Sequence, residues 1–71
     1  MTKCIIGKCL LLQILNRRKM TQSDLSDMTG ISKTQISEYI NNSRKMSLSN
    51  AFLIACVLKV DVLDLYEYRI K

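Results

Sequence analysis

Gly30 is one of only two glycines in a 71-residue chain without proline, and it separates two segments that each open on a helix-capping residue. Thr21 precedes the first segment, and its hydroxyl can take an orphan amide while Asp24 supplies the acidic arm of a capping box. Ser32 precedes the second. Gly30 tolerates the positive φ at which a helix ends, so the spacing predicts a helix over 22–28, a tight turn, and a helix from Ser32 to about Ile40 or Asn41. Leu25 and Met28 face inward on the first, and Ile36, Tyr39 and Ile40 on the second. Asn is the best left-handed substitute for glycine, so Asn41 and Asn42 stop the second helix and open a basic loop over 43–46.

The flanking sequence supplies what such a pair packs against. Ile6, Leu10, Leu11, Ile14 and Leu15 recur at helical spacing and predict a helix over 4–18, whose basic Arg17, Arg18 and Lys19 suit a helix C-terminus. Ser47 caps a helix over 48–59 with a stripe of Leu48, Ala51, Phe52, Ala55 and Leu58. Asp61 caps a fifth over 62–68, and Val60, Val62 and Leu65 close the core from that end. A chain that is 48% hydrophobic with few helix breakers is expected to be an all-α, five-helix bundle, a single domain over 1–71.

Eleven Lys and Arg against six Asp and Glu give +5 and a pI near 9.4, a balance that favours a polyanionic partner. Cys4, Cys9 and Cys56 form no paired spacing and the chain has no histidine, so a metal site, a disulfide framework and histidine-based catalysis are not expected. Buried or half-buried thiols in a reducing cytoplasm are expected instead. The apolar run over 5–15 is too short to span a bilayer. No Gly-rich phosphate loop and no nucleophile–base pair is present, which argues against an enzyme and leaves the chain without an expected cofactor.

The residues Met20-Thr21-Gln22-Ser23-Asp24-Leu25, then Gly30-Ile31-Ser32-Lys33-Thr34-Gln35-Ile36-Ser37, then Ser47-Leu48 with Ile54-Ala55 and Leu58-Lys59-Val60, resemble the Cro/Xre-like helix-turn-helix family of phage and bacterial repressors. The resemblance covers nearly the whole chain, and its fragments are specific in combination. It implies a lambda-repressor-like fold in which the second and third helices read DNA and the others support them. It also implies roles by position. Gln22 matches a glutamine that grips a phosphate. Lys33 and Thr34 match positions that reach base edges, with Ser37 and Glu38 one turn further on. Asn41, Arg44 and Lys45 match a loop that meets phosphates.

Residue chemistry agrees with these assignments. Lysine donates to guanine, threonine offers a hydroxyl and a methyl suited to thymine, and a carboxylate accepts from cytosine. Ser32 and Gln35 lie where a helix N-terminus meets the backbone, so they join the phosphate-contacting set. The sequence departs from the family at Lys19 and Asn42, where glycine is frequent, at Ile40, where glutamate is usual, and at Met46, where proline is common. Ile40 implies hydrophobic packing in place of a buried salt bridge.

These readings predict a sequence-specific transcriptional regulator, a phage- or mobile-element-type repressor that binds double-stranded DNA as a homodimer, with 63–70 supplying the dimer contact. The rival is a protein-interaction module of the same fold, an antirepressor, adaptor or antitoxin that meets a regulatory protein through Leu12, Leu15, Leu53 and Leu63. Tyr39, Tyr66, Tyr68 and Phe52 also suit base stacking on a single strand, but no basic face interleaves with them, and Tyr39 and Phe52 are expected in the core.

Overall fold

The computed structural model describes residues 2–71. Among these, β1 (Cys4–Cys9) is followed by α1 (Leu11–Arg17), α2 (Gln22–Thr29), α3 (Lys33–Ile40), α4 (Leu48–Leu58), a single 3-10 turn over Val62–Asp64 and β2 (Tyr66–Ile70). Four α-helices and a two-stranded antiparallel sheet therefore replace the expected five-helix bundle. Both changes lie at the chain ends. The expected first helix divides at Leu10: Ile5, Ile6 and Gly7 are poor helix formers, and the segment before Leu10 pairs with the C-terminus. The expected fifth helix shrinks to one turn because Tyr66, Glu67, Tyr68, Arg69 and Ile70 alternate with period two, the pattern of a strand with one apolar face.

The strands pair Cys4 with Ile70, Ile5 with Arg69, Ile6 with Tyr68 and Cys9 with Tyr66. Between Ile6 and Cys9 the register shifts, so Gly7 and Lys8 together face Glu67 in a β-bulge. A Cβ on Gly7 would lie 3.0 Å from the Glu67 Cβ, so glycine lets the two strands approach here. Lys8 Nζ stands 3.7 Å from the Glu67 carboxylate across the bulge.

The core lies where the four helices meet the base of the sheet. Leu11, Ile14, Leu15, Leu25, Ile36, Tyr39, Ile54 and Leu58 are fully buried, joined by Cys9 at the inner end of β1 and Leu65 just before β2. Val60, Val62, Ile40 and Met46 pack on this cluster from its edge. The outer part of the sheet leaves it as an arm: Ile5, Ile6, Tyr68 and Ile70 are exposed, and the molecule measures 41 Å along its long axis against 22 and 19 Å across.

Several expected core positions therefore change. Ile6 sits on the arm rather than on a helix. Met28 is exposed because α2 is short and only Leu25 reaches the interior. On α4 the buried face is Ala51, Ile54, Ala55 and Leu58; Leu48 extends one turn beyond it and Phe52 points off its side, so both are exposed. Leu15, expected on an association surface, belongs to the core, whereas Leu12, Leu53 and Leu63 are exposed. Of the three thiols only Cys9 is buried, since Cys4 lies on the arm and Cys56 on the outer face of α4. Among the described residues no helix is long and apolar enough to cross a membrane.

Candidate nucleic-acid interface

The α2–α3 unit is fixed mainly by hydrogen bonds between near neighbours. Thr21 Oγ1 accepts the Asp24 N–H at 3.1 Å and the Asp24 carboxylate accepts the Thr21 N–H at 3.0 Å, completing the expected capping box. Gly30 turns the chain at φ 77°. Across that turn, Ser26 Oγ donates to the Ile31 carbonyl at 2.6 Å, Thr29 Oγ1 donates to the Leu25 carbonyl at 2.8 Å, and the same hydroxyl accepts the Ile31 N–H at 3.2 Å. Ser32 Oγ then caps α3 by accepting the Gln35 N–H at 3.2 Å. With Ile36 and Tyr39 buried beneath it, α3 has one rotational setting, and Asn50 Nδ2 ties it to α4 by donating to the Tyr39 hydroxyl at 2.9 Å.

All of the predicted residues are exposed or half-buried on α2, α3 and the segments that flank α3. Lys33, Thr34 and Ser32 are exposed at the start of α3, and Gln35 is half-buried beside them. Gln22 opens α2 and is half-buried. Ser37 and Glu38 are also half-buried, and both are already engaged: Ser37 Oγ accepts from Asn41 Nδ2 at 3.4 Å, and the Glu38 carboxylate lies 3.5 Å from Arg44 Nε. Glu38 is thus paired with the residue expected to meet phosphate. Asn41, Arg44 and Lys45 are exposed in the loop after α3.

That loop is held by side chains for which sequence reasoning assigned no such role. Asn42 takes the left-handed conformation, φ 62°, and its Oδ1 accepts the Cys9 N–H from β1 at 2.7 Å. The Met46 N–H donates to the Tyr66 hydroxyl from β2 at 3.0 Å. A proline at 46, common in the family, has no N–H to give, so this departure supplies the donor that β2 uses. The Ser43 and Arg44 amides close the turn on the Glu38 carbonyl at 2.9 and 3.3 Å. Lys19, the other position where glycine is frequent, has φ 55°. Burial pushes the Cys9 thiol and the Tyr66 phenol above their ordinary pKa values, which places both as neutral hydrogen-bonding groups beneath the loop.

A helix-turn-helix family model matches residues 11–65, from the start of α1 to the residue before β2. The chain belongs to the Cro/C1-type helix-turn-helix family. A helix-turn-helix chain of this kind is a transcriptional regulator, and a full-length relative has that name: the chain is 40% identical over 73 residues to the SPbeta prophage-derived uncharacterized HTH-type transcriptional regulator YopS of Bacillus subtilis (strain 168), covering 100% of this chain and 97% of the relative. In fold it is similar to the crystal structure of the transcriptional regulator VanUg, with a TM-score of 0.73 at 22% identity over 96% of this chain and 89% of that one. The family match runs from Leu11 to Leu65, so both β1 and β2 lie outside it.

Proposed function

We propose that this helix-turn-helix chain acts in the cytoplasm as one sequence-specific DNA-binding domain, a phage- or mobile-element-type repressor that works by binding alone, as a homodimer on a pseudo-palindromic operator. Lys33 and Thr34 reach base edges in the major groove, with Ser37 and Glu38 behind them. Gln22, Ser32, Gln35, Asn41, Arg44 and Lys45 set the register on the two phosphate rails. The observation that carries this reading is the exposed first turn of α3 over a locked turn and a buried Ile36–Tyr39 face. A helix in that state presents side chains to a groove without reordering.

One module contacts few base pairs, so usable specificity calls for two half-sites about one helical turn apart. With roughly four to six phosphates neutralised per module, binding falls with salt at a logarithmic slope near −0.9 per phosphate. Selection of bound duplexes from a random pool tests the reading, and an enriched motif with two-fold symmetry is expected. Lys33→Ala relaxes preference at one position of that motif, while Arg44→Ala weakens all duplexes alike and flattens the salt slope by about one phosphate equivalent. A pool that yields no motif overturns the proposal.

A further inference from the structure

The arm shows how a second copy of this chain would attach. Lys3 and Lys71 exchange both backbone hydrogen bonds, at 2.5 and 2.8 Å. In an antiparallel ladder bonded pairs alternate with non-bonded ones, so Ile5 and Arg69 form the next bonded pair. The N–H and C=O groups of Tyr68 and Ile70 then point away from β1. Tyr66 shares their side, and its partner Cys9 gives its own N–H to Asn42 instead. β2 therefore presents three residues of unpaired backbone along an edge without proline or glycine, whereas the opposite edge of β1 is interrupted by the Gly7–Lys8 bulge.

We propose that two copies pair along this edge, antiparallel, with the two-fold axis at Tyr68, giving a continuous sheet in the order β1-β2-β2-β1. The inference names the contact behind the dimer proposed above and rests on that part of the reading. In this register Tyr68 faces Tyr68 of the second copy, and Tyr66 faces its Ile70. All three outward-directed residues of each strand then find outward-directed partners. Glu67 faces Arg69 of the second copy, twice by symmetry.

Neighbouring registers lack this match. Centring the axis on Ile70 sets Arg69 against Lys71, like charges face to face. Centring it on Tyr66 sets Arg69 against Leu63, which lies in the 3-10 turn and is not extended. The side chains sort accordingly. Tyr66, Tyr68 and Ile70 share a face with Cys4 and Ile6, and in one chain this apolar face stands in water, with Tyr68 48% and Ile70 57% exposed. Two strands alone are marginal, and four with a shared apolar face are not. An open groove of about 820 Å³, lined among others by Leu63, Val60, Arg17, Tyr66 and Tyr68, leaves room against β2.

Sedimentation equilibrium of the full chain without DNA tests the register through its charges. The wild type is a dimer. Glu67→Arg and Arg69→Glu each put like charges opposite one another and weaken it about tenfold or more. An equimolar mixture of the two variants restores the dimer, because every 67–69 contact across the axis again joins opposite signs; so does the chain carrying both substitutions. Recovery in the mixture also reports that both variants fold. A second measurement needs no variant: in the wild type the amides of Tyr66, Tyr68 and Ile70 exchange with solvent as slowly as that of Arg69. A monomeric wild type, unaltered association of both single variants, failure of the mixture to recover, or fast exchange at Tyr66, Tyr68 and Ile70 overturns the proposal. Duplex binding by a chain that stays monomeric overturns this contact and leaves the DNA reading standing, and a dimer that enriches no duplex does the reverse.

Discussion

The two ends of α3 are held in different ways. Its first turn is set by Thr29, Gly30 and Ser32, all within a few residues of Lys33 and Thr34. The loop after its last turn is set by Asn42 bonding Cys9, 33 residues away, and by Tyr66 bonding Met46 across 20 residues. The difference separates two jobs. The end proposed to face bases depends on local capping that forms with the helices, while the loop proposed to meet phosphate takes its shape from the arm. Any event that orders the arm, pairing with a second copy included, therefore reaches Arg44 and Lys45 before it reaches Lys33.

The sharpest way to break this contrast is at Asn42. Asn42→Ala removes the acceptor of a largely buried N–H and puts a Cβ-bearing residue without Asn's local hydrogen bonding at φ 62°, and is expected to destabilise the chain by roughly 2–3 kcal/mol. Asn42→Gly keeps the turn and loses only the bond, at about 1 kcal/mol. Thermal unfolding measures both. Amide exchange should quicken at Cys9 and through 43–46 in either variant while Gln35 stays protected. Equal effects at both ends of α3 would contradict the division.

Next in size are the local caps. Thr21→Ala and Ser32→Ala each remove a side-chain acceptor from a helix N-terminus, at about 1 kcal/mol apiece. Both are expected to loosen the first turns of α2 and α3 and to leave exchange at Cys9 unchanged.

The same contrast explains what was legible in the sequence. The caps at Thr21, Ser32 and Ser47, the turn at Gly30 and the exposed start of α3 are decided by residues within four positions of one another, and each stands where the sequence placed it. The N-terminal end is ambiguous in sequence because Ile6, Leu10, Leu11 and Ile14 also satisfy a 3.6-residue period. Only pairing with residues roughly sixty positions away decides between the two. The alternation from Tyr66 to Ile70 is a signal for the second strand, but the cap at Asp61 also predicts a helix running through it. Asn42 is legible as a left-handed residue, but the partner of its side-chain acceptor comes from β1, 33 residues away. Sequence alone matches Glu38 to a base and Arg44 to a phosphate separately, and their mutual contact follows from a turn whose path it leaves open.

Tyr66 supplies a smaller and pH-dependent break. Tyr66→Phe removes the hydroxyl that accepts the Met46 N–H, at roughly 0.5–1.5 kcal/mol at neutral pH. In the wild type both Cys9 and Tyr66 are raised by burial, so the unfolded chain gives up these protons first as pH rises. Their contribution to stability is complete well below the ordinary values, 9.0 for the thiol and 10.0 for the phenol, and is lost as pH climbs through the higher folded values. Stability is therefore expected to fall on the alkaline side. Denaturation followed against pH should show a shallower alkaline decline in Tyr66→Phe, and a decline of the same slope would remove Tyr66 from the account.

The smallest expected change in stability tests the far end of α3 most directly. Glu38 and Arg44 are partly exposed and 3.5 Å apart, so Glu38→Gln should alter stability by no more than about 0.5 kcal/mol. Its expected effect on DNA is larger, because the substitution removes a negative charge from the surface proposed to face phosphate and frees the Arg44 guanidinium from its carboxylate partner. If the pair acts as a brake on Arg44, affinity for every duplex rises a few-fold and the salt slope steepens by about one phosphate equivalent. If Glu38 instead accepts from a cytosine, affinity falls at one position of the selected motif and the slope hardly changes. The geometry favours the first outcome, since the carboxylate already has its cation and would have to release it to reach a base.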